Sequence, residues 1–197
     1  YISEEVCLTL ETDAPVITHV DVLETSEDGR IKIDWTPPYE IDVTTFPSPY
    51  TYSLYRAAGF YSNDEVLVAE KISDTLFVDQ LNLNTTGYAY TYRIALFDAN
   101  NIFVDSSAVA SSVQLKAKPF LSAVELSWQA NVPWSNNTLA YPYHYVYRDR
   151  VNTSDPDLMI LIDSVKISEN GFEYLDDGRF NNTVLDDELI YCYALTT

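Results

Sequence analysis

Several things are scarce in this chain of 197 residues. There are two cysteines, two histidines, one methionine and five glycines. Lys and Arg together number 11 against 30 Asp and Glu, a formal net charge of −19. No apolar run approaches the 18 residues that a membrane-spanning helix requires, which excludes such a helix. A surface short of cations repels nucleic acid phosphates and anionic lipid, because binding either adds like charge instead of releasing counterions. Nucleic acid and membrane insertion are therefore excluded as partners. Cys7 and Cys192 stand at opposite ends of the chain. If they belong to different domains they cannot bridge, since a disulfide needs Cα atoms within about 7 Å. Neither histidine has a second His or a Cys at metal-ligand spacing, so no zinc site can be composed. His19 reads as a strand surface residue and His144 as packed in a strand. Glycines standing singly at turns cannot cradle a phosphate, and no Gly-x-Ser-x-Gly elbow occurs.

What is abundant is tyrosine, 16 residues, with 3 Trp and 8 Phe. They fall in short runs bounded by turn residues, the distribution of half-buried strands. The runs repeat. GRIKIDW, a Pro-rich gap and YTYSLYR (Gly29 to Arg56) recur about 93 residues later as SAVELSW, a Pro-bearing gap and YHYVYR (Ser122 to Arg148). Each copy alternates apolar residues up to a tryptophan (Ile31, Ile33, Trp35; Val124, Leu126, Trp128). A Tyr-Arg pair follows (Tyr55-Arg56; Tyr147-Arg148). A repeat of that size means two small domains of one architecture.

In the first, strands are expected at Ile17 to Thr25, Arg30 to Trp35, Tyr50 to Arg56, Val66 to Lys71, Leu76 to Asp79, Tyr88 to Asp98 and Ile102 to Val109. Seven strands in such a length indicate a β-sandwich. The second repeats the order at Val113 to Lys118, Val124 to Gln129, Tyr143 to Arg148, Met159 to Val165, Glu173 to Leu175 and Leu189 to Thr197, with its last strand missing. The fold class is all-β: two tandem sandwiches over residues 13–111 and 112–197. The opening stretch 1–12 is expected to be the tail of a preceding domain, and the parent protein to continue past Thr197.

With a Trp on the second strand, an aromatic third strand and Tyr-x-Tyr on the sixth (Tyr90-Thr91-Tyr92; Tyr191-Cys192-Tyr193), both halves resemble fibronectin type III modules. That resemblance implies that Trp35 and Trp128 fill the two cores. It also implies that a Tyr locks the corner before the sixth strand through its hydroxyl: Tyr88 or Tyr90 in the first, Tyr191 in the second. PVITHVDVLETSEDGRIKIDWTPP, PSPYTYSLYRAAG, DSSAVASSVQLKAKP and VPWSNN before YHYVYR look like a more particular group. They are similar to the tandem fibronectin-like region upstream of the sorting domain in Bacteroidetes gliding motility-associated C-terminal domain proteins. Membership there implies a large secreted or cell-surface protein that crosses the periplasm as cargo of the type IX secretion system. Its partners would be neighbouring domains of the same chain and, during export, the outer-membrane translocon and its shuttle protein. Asp74-Thr75-Leu76 and Asp163-Ser164-Val165 resemble the O-glycosylation sequence of that phylum, making Thr75 and Ser164 candidates. The Asn-x-Thr/Ser triplets at Asn84, Asn136, Asn152 and Asn181 matter only where asparagine is glycosylated.

No constellation points to catalysis, and no enzyme activity is expected. The best binding candidates are Trp134 and Tyr143, with Tyr141, Tyr145 and Tyr147. On a strand, Tyr143, Tyr145 and Tyr147 share one face, a possible stacking platform for sugar rings; the competing account is core and junction packing. Asp176-Asp177-Gly178 and Asp186-Asp187-Glu188 could hold Ca²⁺, although Asp is favoured in turns for its own backbone bonds. No other cofactor is expected. Arg56 and Arg148, ending their strands, are read as structural: stems over apolar surface, guanidinium groups toward carboxylates. Two functions remain, a non-catalytic spacer and a glycan-binding or adhesive module.

Overall fold

The computed structural model describes residues 14–60, 64–130, 142–149, 158–180 and 184–196. The first half contains β1 (Val16–Glu24), β2 (Arg30–Thr36), β3 (Thr51–Ala58), β4 (Val66–Ile72), β5 (Leu76–Asp79), β6 (Tyr90–Phe97), β7 (Phe103–Ser106) and β8 (Ala110–Ser111). The second contains β9 (Gln114–Phe120), β10 (Ala123–Gln129), β11 (Tyr143–Asp149), β12 (Ile160–Lys166), a single helical turn α1 (Ile167–Asn170), β13 (Glu173–Asp176) and β14 (Cys192–Thr196). The fold is all-β and fibronectin type III-like. One sheet has the order β1-β2-β5, and the other β4-β3-β6-β7 with β8 also on β6. The second half repeats this as β9-β10-β13 and β12-β11-β14. Among the described residues nothing stands beside β14 where β7 and β8 stand beside β6.

Period-two alternation accounts for the cores. Ile31, Ile33 and Trp35 point inward from β2 and pack with Leu54, Tyr92, Ile94 and Leu96 of the facing sheet. Leu126 and Trp128 from β10 pack with Val146, Ile162 and Val165 in a separate cluster.

Where one strand is expected from Ile102 to Val109, the chain forms the shorter β7, breaks at residues 107–109, and pairs again only beyond the expected range, as β8. The cause is serine. Ser107 N–H donates to the Ile94 carbonyl (2.8 Å) while its Oγ accepts from Ile94 N–H (2.9 Å). Ser112 does the same to Tyr90, at 2.9 and 3.1 Å. Two side chains thus replace ladder bonds, one before and one after β8, and the backbone at 107–109 departs from the ladder before β8 rejoins it.

Candidate functional site

The C-terminal ends of β3 and β5 and the start of β6 converge on Asp79, which is fully buried. Its Oδ2 accepts from Arg56 Nη1 (2.7 Å) and from the Tyr92 hydroxyl (3.1 Å). Its Oδ1 accepts from Leu81 N–H (3.2 Å), and Arg56 Nη1 also donates to the Leu81 carbonyl (3.1 Å). Two residues before Tyr92, the Tyr90 hydroxyl accepts from Asn84 N–H (3.0 Å), and the Arg56 guanidinium lies 5.4 Å from the Tyr90 ring centre. Because β5 belongs to one sheet and β3 and β6 to the other, this cluster ties the two layers together.

The second half builds the same object. Asp176 Oδ2 accepts from Arg148 Nη1 (2.7 Å) and from the Tyr193 hydroxyl (2.9 Å), and its Oδ1 from Gly178 N–H (3.1 Å). The Tyr191 hydroxyl accepts from Asp186 N–H (3.0 Å), with Arg148 at 5.6 Å from the Tyr191 ring centre. Each carboxylate accepts three hydrogen bonds and is paired with an arginine, the condition under which a buried ion pair is tolerated. Burial first, and then the neighbouring Asp79 charge, pushes the Tyr92 hydroxyl well above the ordinary phenol range. Burial and Asp176 do the same to Tyr193. Both phenols therefore stay protonated donors.

The sequence pointed to the two arginines and to the corner tyrosines, but not to Asp79, Asp176, Tyr92 or Tyr193 as their partners. The usable signal was the shared pattern of an Asp closing a short apolar strand, followed by Tyr-x-Tyr. Of the two corner candidates in the first half, Tyr90 makes the bond; Tyr88 is exposed.

The two tryptophans differ. Trp35 meets Tyr52 edge-on at 5.4 Å, and its indole N–H has no hydrogen-bond partner among the described residues. Trp128 donates its indole N–H to His144 Nδ1 (2.9 Å), with buried His144 packed against both Trp128 and Phe172. Accepting at Nδ1 requires the neutral imidazole with its proton on Nε2. His19 lies exposed on β1 near Asp34.

Trp134, Tyr141 and Cys7 lie outside the described residues. Tyr143 and Tyr145 are 43% and 39% exposed on the outer face of β11. Thr75 is exposed beside β5, where its carbonyl accepts from Trp35 N–H. Ser164 is exposed on β12 and lines an open groove of about 360 Å³ with Glu125, Asp163, Glu173 and Tyr174. In the turns considered for Ca²⁺, Asp176 is committed to Arg148. Asp186 Oδ1 accepts from Glu188 N–H, and Asp187 Oδ1 accepts from Ser122 N–H.

Strand order and the duplicated lock define tandem fibronectin type III-like modules. No protein-family model matches the chain. No curated protein matches it either. Among solved structures it is similar to the central fibronectin-III array of RIM-binding protein, at 14% identity and a TM-score of 0.35, covering 92% of this chain and 62% of that one. It is also similar to the FN1–FN3 domains of chicken CNTN1, at 11% identity and a TM-score of 0.34, covering 93% and 60%. The chain thus spans less than two thirds of the length of either.

Proposed function

We propose that the chain is a pair of non-catalytic spacer modules in a larger extracellular or cell-surface protein. The observation that carries this reading is the duplicated lock. Its buried carboxylates are each ion-paired with an arginine and hydrogen-bonded by a tyrosine hydroxyl, which commits them to structure. Rigid sandwiches of this kind hold a distal adhesive or enzymatic domain away from the cell.

Export by the type IX secretion system, with the outer-membrane translocon and shuttle protein as transient partners, is supported by the sequence likeness to gliding motility-associated proteins. So is passage through the periplasm, with Thr75 and Ser164 carrying O-linked sugar; both are exposed. The test is protease accessibility of the parent protein on intact cells. It is expected to be cleaved at the surface when the translocon is functional and protected when the translocon is disabled; equal cleavage in both refutes this route. Intact mass of the exported protein, with Thr75→Ala and Ser164→Ala, tests the sugars: each substitution is expected to remove one increment.

A further inference from the structure

The outer faces of β3 and β11 are equivalent in the repeat, yet they are finished differently. In the first module, Tyr55 of β3 pairs across the sheet with Arg93 of β6. The Arg93 guanidinium lies 4.5 Å from the Tyr55 ring centre and is held there by Glu65 at 3.0 and 3.1 Å. In the second module, Tyr147 of β11 pairs across the sheet with Ala194 of β14, and Tyr145 pairs with Thr196. The tyrosine has kept its place, but the cation over it has been replaced by a methyl group. The tyrosine row is also longer: where β3 has Thr51 and Ser53, β11 has Tyr143 and Tyr145, both exposed.

We propose that Tyr143, Tyr145 and Tyr147 form a docking surface for an extended, arginine-bearing segment of another protein. Its guanidinium groups would stack on the rings as Arg93 stacks on Tyr55. Three observations select this occupant. Arginine on a tyrosine face is the arrangement the first module makes for itself at the equivalent position. Among the described residues no arginine is to spare: Arg30, Arg56, Arg93, Arg148 and Arg179 are each ion-paired to a carboxylate. A net charge of −19 attracts a basic partner and orients its approach. Lys166, opposite Tyr143, has its ammonium on Glu169. Alternation of side chains along an extended segment matches the period of the tyrosines, so every second residue meets a ring.

The test is calorimetric titration of the full chain with three probes. They are an acetylated hexapeptide alternating arginine and threonine, its lysine counterpart, and the neutral oligosaccharide cellohexaose. The arginine peptide is expected to bind saturably, and the lysine peptide about threefold more weakly or worse, because the planar guanidinium stacks and the ammonium does not. The double substitution Tyr143→Ser with Tyr145→Ser keeps the net charge and is expected to weaken the arginine peptide about tenfold. Ala194→Arg supplies the missing cation within the chain and is expected to weaken it as well; this variant decides the matter if the double one does not fold. Four results would overturn the proposal: no saturable binding of the arginine peptide, equal affinity for arginine and lysine peptides, binding indifferent to both variants, or tyrosine-dependent binding of cellohexaose in place of the peptide.

Discussion

Asp79 and Asp176 are buried carboxylates, and each accepts hydrogen bonds from three donors. Removing one member leaves the others unpaired in a poorly solvated site, which costs far more than the pair contributes net. Asp79→Asn is therefore expected to destabilise the first module by about 3–5 kcal/mol, read by urea denaturation. Tyr90→Phe removes one neutral acceptor from Asn84 N–H and is expected to cost about 1 kcal/mol. The tyrosines also set an alkaline limit. Burial raises Tyr92, Tyr193 and Tyr174 above the ordinary value of 10.0, so the native state keeps protons that the unfolded chain releases. Their contribution is whole below pH 10 and declines as pH rises beyond it. Denaturation midpoints should fall between pH 10 and 12, and less steeply in Tyr92→Phe. In the sequence the arginines were conspicuous because cations are few. Their partners were not, because with 30 acidic residues any of many could have served.

Among the elements, the hairpins and inward faces followed alternation and turn chemistry closely enough to be read in advance. Leu76 to Asp79 was placed to the residue, and Asp98 closes its turn by accepting from Asn100 and Ile102 N–H. The break between β7 and β8 was not legible, because alternation counts Ser107 as an outward polar residue whereas its hydroxyl stands in for a ladder group. The turn between β1 and β2 hides a second constraint. Gly29 donates to the Leu83 carbonyl, and a Cβ there would sit 2.1 Å from Thr85 Oγ1 and 2.7 Å from the Glu24 carbonyl. Thr85 is itself fixed by its bonds to Ser26 and Glu24. Gly29→Ala is expected to cost about 1–3 kcal/mol through this overlap, seen as a lower urea midpoint, with Thr85→Ser giving little relief.

At the scale of the whole molecule, two apolar clusters with separate membership sit in a strongly acidic chain. Self-repulsion of −19 charges opposes compaction, so raising salt from about 0.01 to about 0.2 M should raise the melting temperature; a fall would contradict that electrostatic account. The sequence repeat carries the two-module pattern on its own. What it could not announce was the contrast between their outer faces, since only the strand register shows that Arg93 lies across from Tyr55 and Ala194 across from Tyr147.

The central claim is that each module is closed by its own lock round its own core. Residue-resolved urea unfolding by two-dimensional NMR, comparing the unaltered chain with Asp79→Asn, tests it most directly. The amides of β2, β3 and β6 should unfold at clearly lower urea in the variant, while those of β10, β11 and β14 keep their midpoint. A common shift of both sets, or no shift in the first, would contradict it.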